Sequence, residues 1–131
     1  MTTNDQKRGK LMLIDDTVYF GANLQEQLIN LGFEVLFIPA PIGLEQAIDS
    51  FRPDLIYLDI DLGQFGNGID ICKKLTATRP EIPIILISAS SESDIREAGI
   101  RSGAKSFIGK PLTASLLEAC ASPYLPASKG K

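Results

Sequence analysis

Ile84-Ile-Leu-Ile87 is an unbroken apolar run framed by Pro83 and Ser88. A strand without a polar alternate suits a parallel sheet covered on both faces. Leu11-Met-Leu-Ile14, Glu34-Val-Leu-Phe-Ile38 and Leu55-Ile-Tyr-Leu58 repeat the pattern, and Ser106-Phe-Ile108 is a shorter fifth run. Amphipathic stretches separate them. Val18 to about Leu31 carries Phe20, Leu24, Leu28 and Leu31 on one stripe and stops at Gly32. Further helices are predicted from about Gly43 to Ser50, which Pro53 ends, and from about Ile69 to Thr78. The last two run from about Glu92 to Ser102, stopped by Gly103, and from Thr113, a plausible N-cap, to about Ala121. Strand and helix alternate five times, with no internal repeat. The fold class is therefore α/β: a doubly wound (βα)₅ sandwich with right-handed crossovers.

With 131 residues, 44% of them hydrophobic, the chain suits one domain with a sizeable core. The boundaries read as an N-terminal extension over residues 1–9, the domain over 10–121 and a C-terminal tail or trimmed linker over 122–131. The residues after Ala121 are too few for a further DNA-binding or catalytic domain. A formal net charge of −3 gives no basic face for nucleic acid. The chain has no histidine, so a His base, a His zinc ligand and a phosphohistidine are excluded. Two cysteines exclude a stapled scaffold, and both Cys72 and Cys120 sit on helical apolar patterns as core residues. No apolar run is long enough for a signal peptide or a membrane span. The expectation is a soluble, cytoplasmic protein that binds neither membrane nor nucleic acid directly.

Ligands of open α/β sheets bind at the carboxyl ends of the strands. Here those ends carry Asp15-Asp16, Asp59, Ser88 and Lys110-Pro111. A single Asp after a strand is usually a turn former. Several carboxylates at one edge raise one another's pKa and call for a cation. Oxygen ligands select a hard ion, so Mg²⁺ is expected. Carboxylate, metal, ammonium and hydroxyl together suit a phosphoryl group.

These residues resemble the response-regulator receiver domain over about residues 9–121. The matches are Asp15-Asp16, Asp59 in Leu55-Ile-Tyr-Leu-Asp59, Ser88-Ala89 in Leu86-Ile-Ser-Ala-Ser90, and Gly103-Ala-Lys-Ser-Phe-Ile-Gly-Lys-Pro111. The resemblance implies a flavodoxin-like five-stranded parallel sheet of order 2-1-3-4-5. It implies Asp59 as acceptor of phosphate from a sensor histidine kinase or phosphotransfer protein. Asp15, Asp16, Asp59 and the backbone carbonyl of Asp61 would hold Mg²⁺. Ser88 and Ala89 would meet the phosphoryl group, Lys110 would pair with it, and the Lys110–Pro111 bond would be cis. Phe107 would be the switch aromatic, exposed or mixed before phosphorylation and turned inward after it. The downstream partner would be a protein target or an output domain outside this chain, and the only catalysis self-phosphorylation and slow hydrolysis.

The chain departs from the family pattern in places. Leu62-Gly63 replaces the usual Met/Leu-Pro, and the following glycine in Gly66-Asn-Gly68 comes one residue late. Ser88 stands for the commoner Thr and Phe107 for the commoner Tyr. Phe107 could also be simple edge packing, and Asp61 a solvated loop residue.

Three other readings compete. Asp59-Ile-Asp61-Leu62 resembles the nucleophile motif of haloacid-dehalogenase-type phosphatases, but the acidic pair lies upstream and too little chain follows. A phosphorylation-independent interaction module would ordinarily lack one of the positions Asp15, Asp16, Asp59, Ser88 and Lys110, all present here. The Gly63–Gly68 loop matches neither phosphate-binding glycine motif.

Overall fold

The computed structural model describes residues 8–126. Five strands and five helices alternate: β1 (Lys10–Ile14), α1 (Val18–Asn30), β2 (Glu34–Ile38), α2 (Leu44–Phe51), β3 (Leu55–Asp59), α3 (Gly68–Thr78), β4 (Ile84–Ser88), α4 (Ser93–Arg101), β5 (Ser106–Gly109) and α5 (Ala114–Ala121). The strands form one parallel sheet in the order β2-β1-β3-β4-β5. The fold class is the one expected from the alternation, and the strand order the one the resemblance implies.

Alternation along the strands splits the core in two. Leu11, Leu13, Leu55, Tyr57, Ile85 and Ile87 pack with Leu24 and Leu28 of α1 and Leu117 of α5. Met12, Ile14, Ile56, Leu58, Ile84 and Leu86 pack on the other face with Ile48 of α2 and Cys72 and Leu75 of α3. β3 and β4 are buried along their whole length, which explains their lack of polar alternation. Two caps agree with the turn chemistry: Thr113 accepts from the Leu116 N–H, and Asn67 from the Ile69 N–H. Among the described residues no helix is long and apolar enough to cross a membrane.

One polar group in the core ties the sheet to α5. Tyr57 is fully buried, and its hydroxyl donates to the Leu117 carbonyl of α5. Desolvation there, foremost, pushes the phenol far above its ordinary pKa, so it stays a donor. Tyr57→Phe is expected to lower the unfolding free energy by about 1 kcal/mol, because a carbonyl loses its partner with little change in volume. Urea unfolding followed by circular dichroism measures it; an unchanged midpoint would show that bond to be idle.

The ends differ from the sequence expectation. The first seven residues of the expected extension and the tail beyond 126 lie outside the described residues. Arg8 and Gly9 are built into the domain: the Arg8 N–H donates to the Gly32 carbonyl, and the guanidinium pairs with Glu118 at 2.6 Å. It also lies over the Phe33 ring. Ser122–Tyr124 is a 3₁₀ turn, not the start of a tail, and Tyr124 and Leu125 pack against the core. Proline and serine read as a linker; the two apolar residues beside them fold it back.

Candidate functional site

The parallel ladders bring the functional positions to one edge. Ile14 pairs with Ile38 and Leu58, Asp59 with Ile87, and Ser88 with Gly109. Asp15, Asp59, Ser88 and Lys110 are therefore each at or one residue past the end of its strand. The edge they share is the carboxyl edge of the sheet, where backbone pairing ends and side chains turn toward one another.

Asp15 is held in place by its backbone, whose N–H donates to the Ile38 carbonyl at 3.2 Å. Its side chain is fully buried. Oδ1 accepts from the Thr17 N–H at 2.9 Å, while Oδ2 has no hydrogen-bond partner and lies 3.6 Å from Lys110 Nζ. Asp59 is 1% exposed; its Oδ1 accepts from the Asp61 N–H at 3.0 Å and its Oδ2 from Lys110 Nζ at 2.9 Å. Asp16 is exposed, and one oxygen from each of Asp15, Asp16 and Asp59 lies within 4.8 Å of the others.

Burial is the largest influence on Asp59 and pushes its carboxyl up to about 6. Lys110 and the Asp61 N–H pull the other way, and the Asp15 charge adds to the rise. Desolvation alone would lower the Lys110 pKa, yet it lies above its ordinary value because Asp59 and Asp15 favour the ammonium. One ammonium faces three carboxylates. An orphaned, buried Asp15 oxygen in an all-oxygen donor set fits a hard divalent cation such as Mg²⁺.

Ser88 is 5% exposed at the rim. Its Oγ accepts from the Ser90 N–H at 2.9 Å, leaving its own proton for a further acceptor. Ala89 is exposed beside it, and the Lys110–Pro111 bond is cis. Asp61 is exposed, and its carboxylate accepts from the Gly63 N–H at 3.2 Å. The extra residue of this loop is absorbed in a 3₁₀ turn over Gly63–Phe65. Gly68 follows, where a Cβ would collide with the Asp59 carbonyl. α3 starts that close to the acceptor strand because position 68 has no side chain.

Phe107 is turned inward. It is 6% exposed and part of the α2/α3 core face, the inward placement that the resemblance implies for the switched arrangement. Arg96 escaped sequence reading altogether: its guanidinium lies over the Phe107 ring and donates to the Phe107 carbonyl at 3.2 Å. Nothing in the polar sequence of α4 marks that contact, because it depends on where β5 lies.

The family model of the response regulator receiver domain matches residues 11–121. The DNA-binding response regulator MtrA of Mycobacterium tuberculosis is 32% identical over 107 residues, covering 82% of this chain and 46% of that protein. Protein-glutamate methylesterase/protein-glutamine glutaminase 3 of Rhodospirillum rubrum is 30% identical over 105 residues, 78% of this chain and 28% of that one. The chain thus spans less than half the length of these curated relatives. A two-component response regulator from Clostridium difficile superposes with a TM-score of 0.81 at 25% identity, covering 91% and 95% of the two chains. The receiver domain of NtrX from Brucella abortus gives 0.79 at 28%, covering 90% and 99%. Fold, the acidic edge and a family match over nearly all the described residues lead to one statement: the chain belongs to the response regulator receiver domain family.

Proposed function

We propose that this receiver domain accepts a phosphoryl group on Asp59 from the phosphohistidine of a sensor histidine kinase or phosphotransfer protein, and passes the change to a protein target or output domain. The observation that carries this reading is the buried Asp59 carboxylate bonded to Lys110 beside an unpartnered Asp15 oxygen. An Asp59 oxygen forms the new O–P bond as the donor's N–P bond breaks. The leaving imidazole nitrogen keeps the electron pair and takes up a proton from water. Lys110 exchanges part of its pairing with Asp59 for the phosphoryl oxygens, and Ser88 offers its hydroxyl proton to them.

Asp15, Asp16, Asp59 and the Asp61 carbonyl would hold Mg²⁺, which when bound neutralises charge gathering on the phosphoryl oxygens. Asp59 is the acceptor and is restored by slow hydrolysis, so the only catalysis is of the domain's own phosphorylation and dephosphorylation. It works as a switch, not as an enzyme.

Intact-mass measurement after incubation with a small phosphodonor tests the reading. One added phosphoryl group is expected with Mg²⁺ and none in EDTA; a mass unchanged under both conditions would refute it. Asp16→Ala is expected to weaken Mg²⁺ binding by about tenfold or more and to slow phosphorylation in step, because a carboxylate leaves the cluster. Metal titration at fixed ionic strength reads the first effect, and an unaltered isotherm would remove Asp16 from the metal site.

A further inference from the structure

Position 68 admits only glycine, because a Cβ there would collide with the Asp59 carbonyl. Nothing comparable fixes the residue before it. Asn67 is exposed and caps α3, a duty that Asp or Ser performs about as well. Its partner across an antiparallel bridge is Asp61, so an aspartate at 67 would set two like charges opposite each other. Asparagine avoids that repulsion and brings a liability. With no side chain on the next residue, the Gly68 nitrogen has unhindered access to the Asn67 carboxamide carbon.

The folded loop engages both reactants elsewhere. The Gly68 N–H donates to the Ile60 carbonyl at 2.7 Å, and Asn67 Oδ1 accepts from the Ile69 N–H at 2.7 Å. Little else closes the bridge. Its second backbone bond runs from the Leu62 N–H to the Gly66 carbonyl at 3.3 Å, and residues 63–67 are all exposed. A segment held by so few bonds opens locally at far lower cost than the whole domain.

We propose that Asn67 is a self-modification site, shielded while the β3–α3 loop is closed and converted to aspartate and isoaspartate when it opens. The Gly68 nitrogen gives up its proton to water and attacks Asn67 Cγ. The carboxamide C–N bond breaks, and ammonia leaves after taking a proton from water, which closes a succinimide. Water then opens the ring at either carbonyl, so that overall one water enters and one ammonia leaves. The two products differ in consequence. Aspartate keeps the backbone and the cap. Isoaspartate carries the main chain through the side chain, one methylene longer, directly before the glycine that has no room against Asp59. The start of α3 is then pushed off the acceptor strand. The functional consequence rests on the phosphoacceptor reading of Asp59; the chemistry at position 67 does not.

The whole chain, aged at mildly alkaline pH in native buffer and in concentrated urea, provides the test. Peptide mass spectrometry with fragmentation that separates aspartate from isoaspartate reads the outcome. In urea, conversion at Asn67 is expected to outpace that at every other asparagine. In native buffer it should be at least about tenfold slower, since only the open fraction of the loop reacts. Equal rates in the two buffers would overturn the shielding. No conversion at Asn67 in urea, or a faster one at another asparagine, would overturn the site. After ageing in urea and refolding, the wild type is expected to lose phosphoryl uptake from a small phosphodonor in proportion to its isoaspartate. Asn67→Ser keeps a capping oxygen without the carboxamide and should lose none. Equal losses in the two proteins would overturn the role given to isoaspartate. If fresh wild type takes up no phosphoryl group, Asp59 fails as acceptor, while the mass measurement still decides Asn67.

Discussion

Asp59→Asn is expected to abolish phosphorylation outright. The amide nitrogen and oxygen keep the size of the carboxylate and a bond to Lys110, but an amide oxygen is far too weak a nucleophile to form the acyl phosphate. The loss should therefore be all or none, while the circular dichroism spectrum and the cooperativity of unfolding stay those of the wild type. Removing the charge also relieves the repulsion with Asp15 and the desolvation that burial imposes on Asp59. A hydroxylamine-sensitive phosphate still forming on Asp59→Asn would place the acceptor elsewhere, with Asp61 the first candidate by position.

The second large effect is on stability, and it has an unusual sign for a carboxylate. Burial raises Asp59 from an ordinary 3.8 to about 6 in the folded chain. Between those values the folded state binds the proton more tightly than the unfolded one. Raising the pH then costs stability, at a slope of at most about 1.4 kcal/mol per pH unit for one proton. In EDTA the melting temperature is expected to fall as pH rises from about 4 to about 6 and to level off above. A divalent cation binds the ionised cluster, so excess Mg²⁺ should restore the lost stability at pH 7 and flatten the curve. Asp59→Asn should flatten it as well, without metal. A metal-free melting temperature that rises through this interval would mean that Lys110 overcompensates the burial of Asp59.

Most of the fold was legible because the strands are short and continuous, the first three closed by an aspartate or a proline, so element type and order followed from run length. The site was legible for a related reason: in a parallel sheet every strand delivers its last residue to the same edge. Asp15, Asp59 and Lys110 needed no tertiary information beyond the alternation. Phe107 shows where that stops. Its ring lies against Gly99 and under Arg96, two residues of another element whose own pattern announces only a polar helix. The turn over Ser122–Tyr124 was hidden by composition, since Ser122, Pro123 and Pro126 outweigh one Tyr and one Leu in any local reading.

The packing of Leu125 against Gly9 and the core brings both described ends of the chain to the amino edge of the sheet. Between that edge and Asp59 lies the length of a five-residue strand, about 17 Å at 3.3 Å per residue. A fluorophore or tether attached near Arg8 and another near Leu125 would sit close together and far from the phosphate. Such a pair would register loss of the fold sharply and phosphorylation hardly at all, whereas a single label in the β4–α4 loop would do the reverse. The molecule thus offers two separate handles, one for whether it is folded and one for whether it has been signalled.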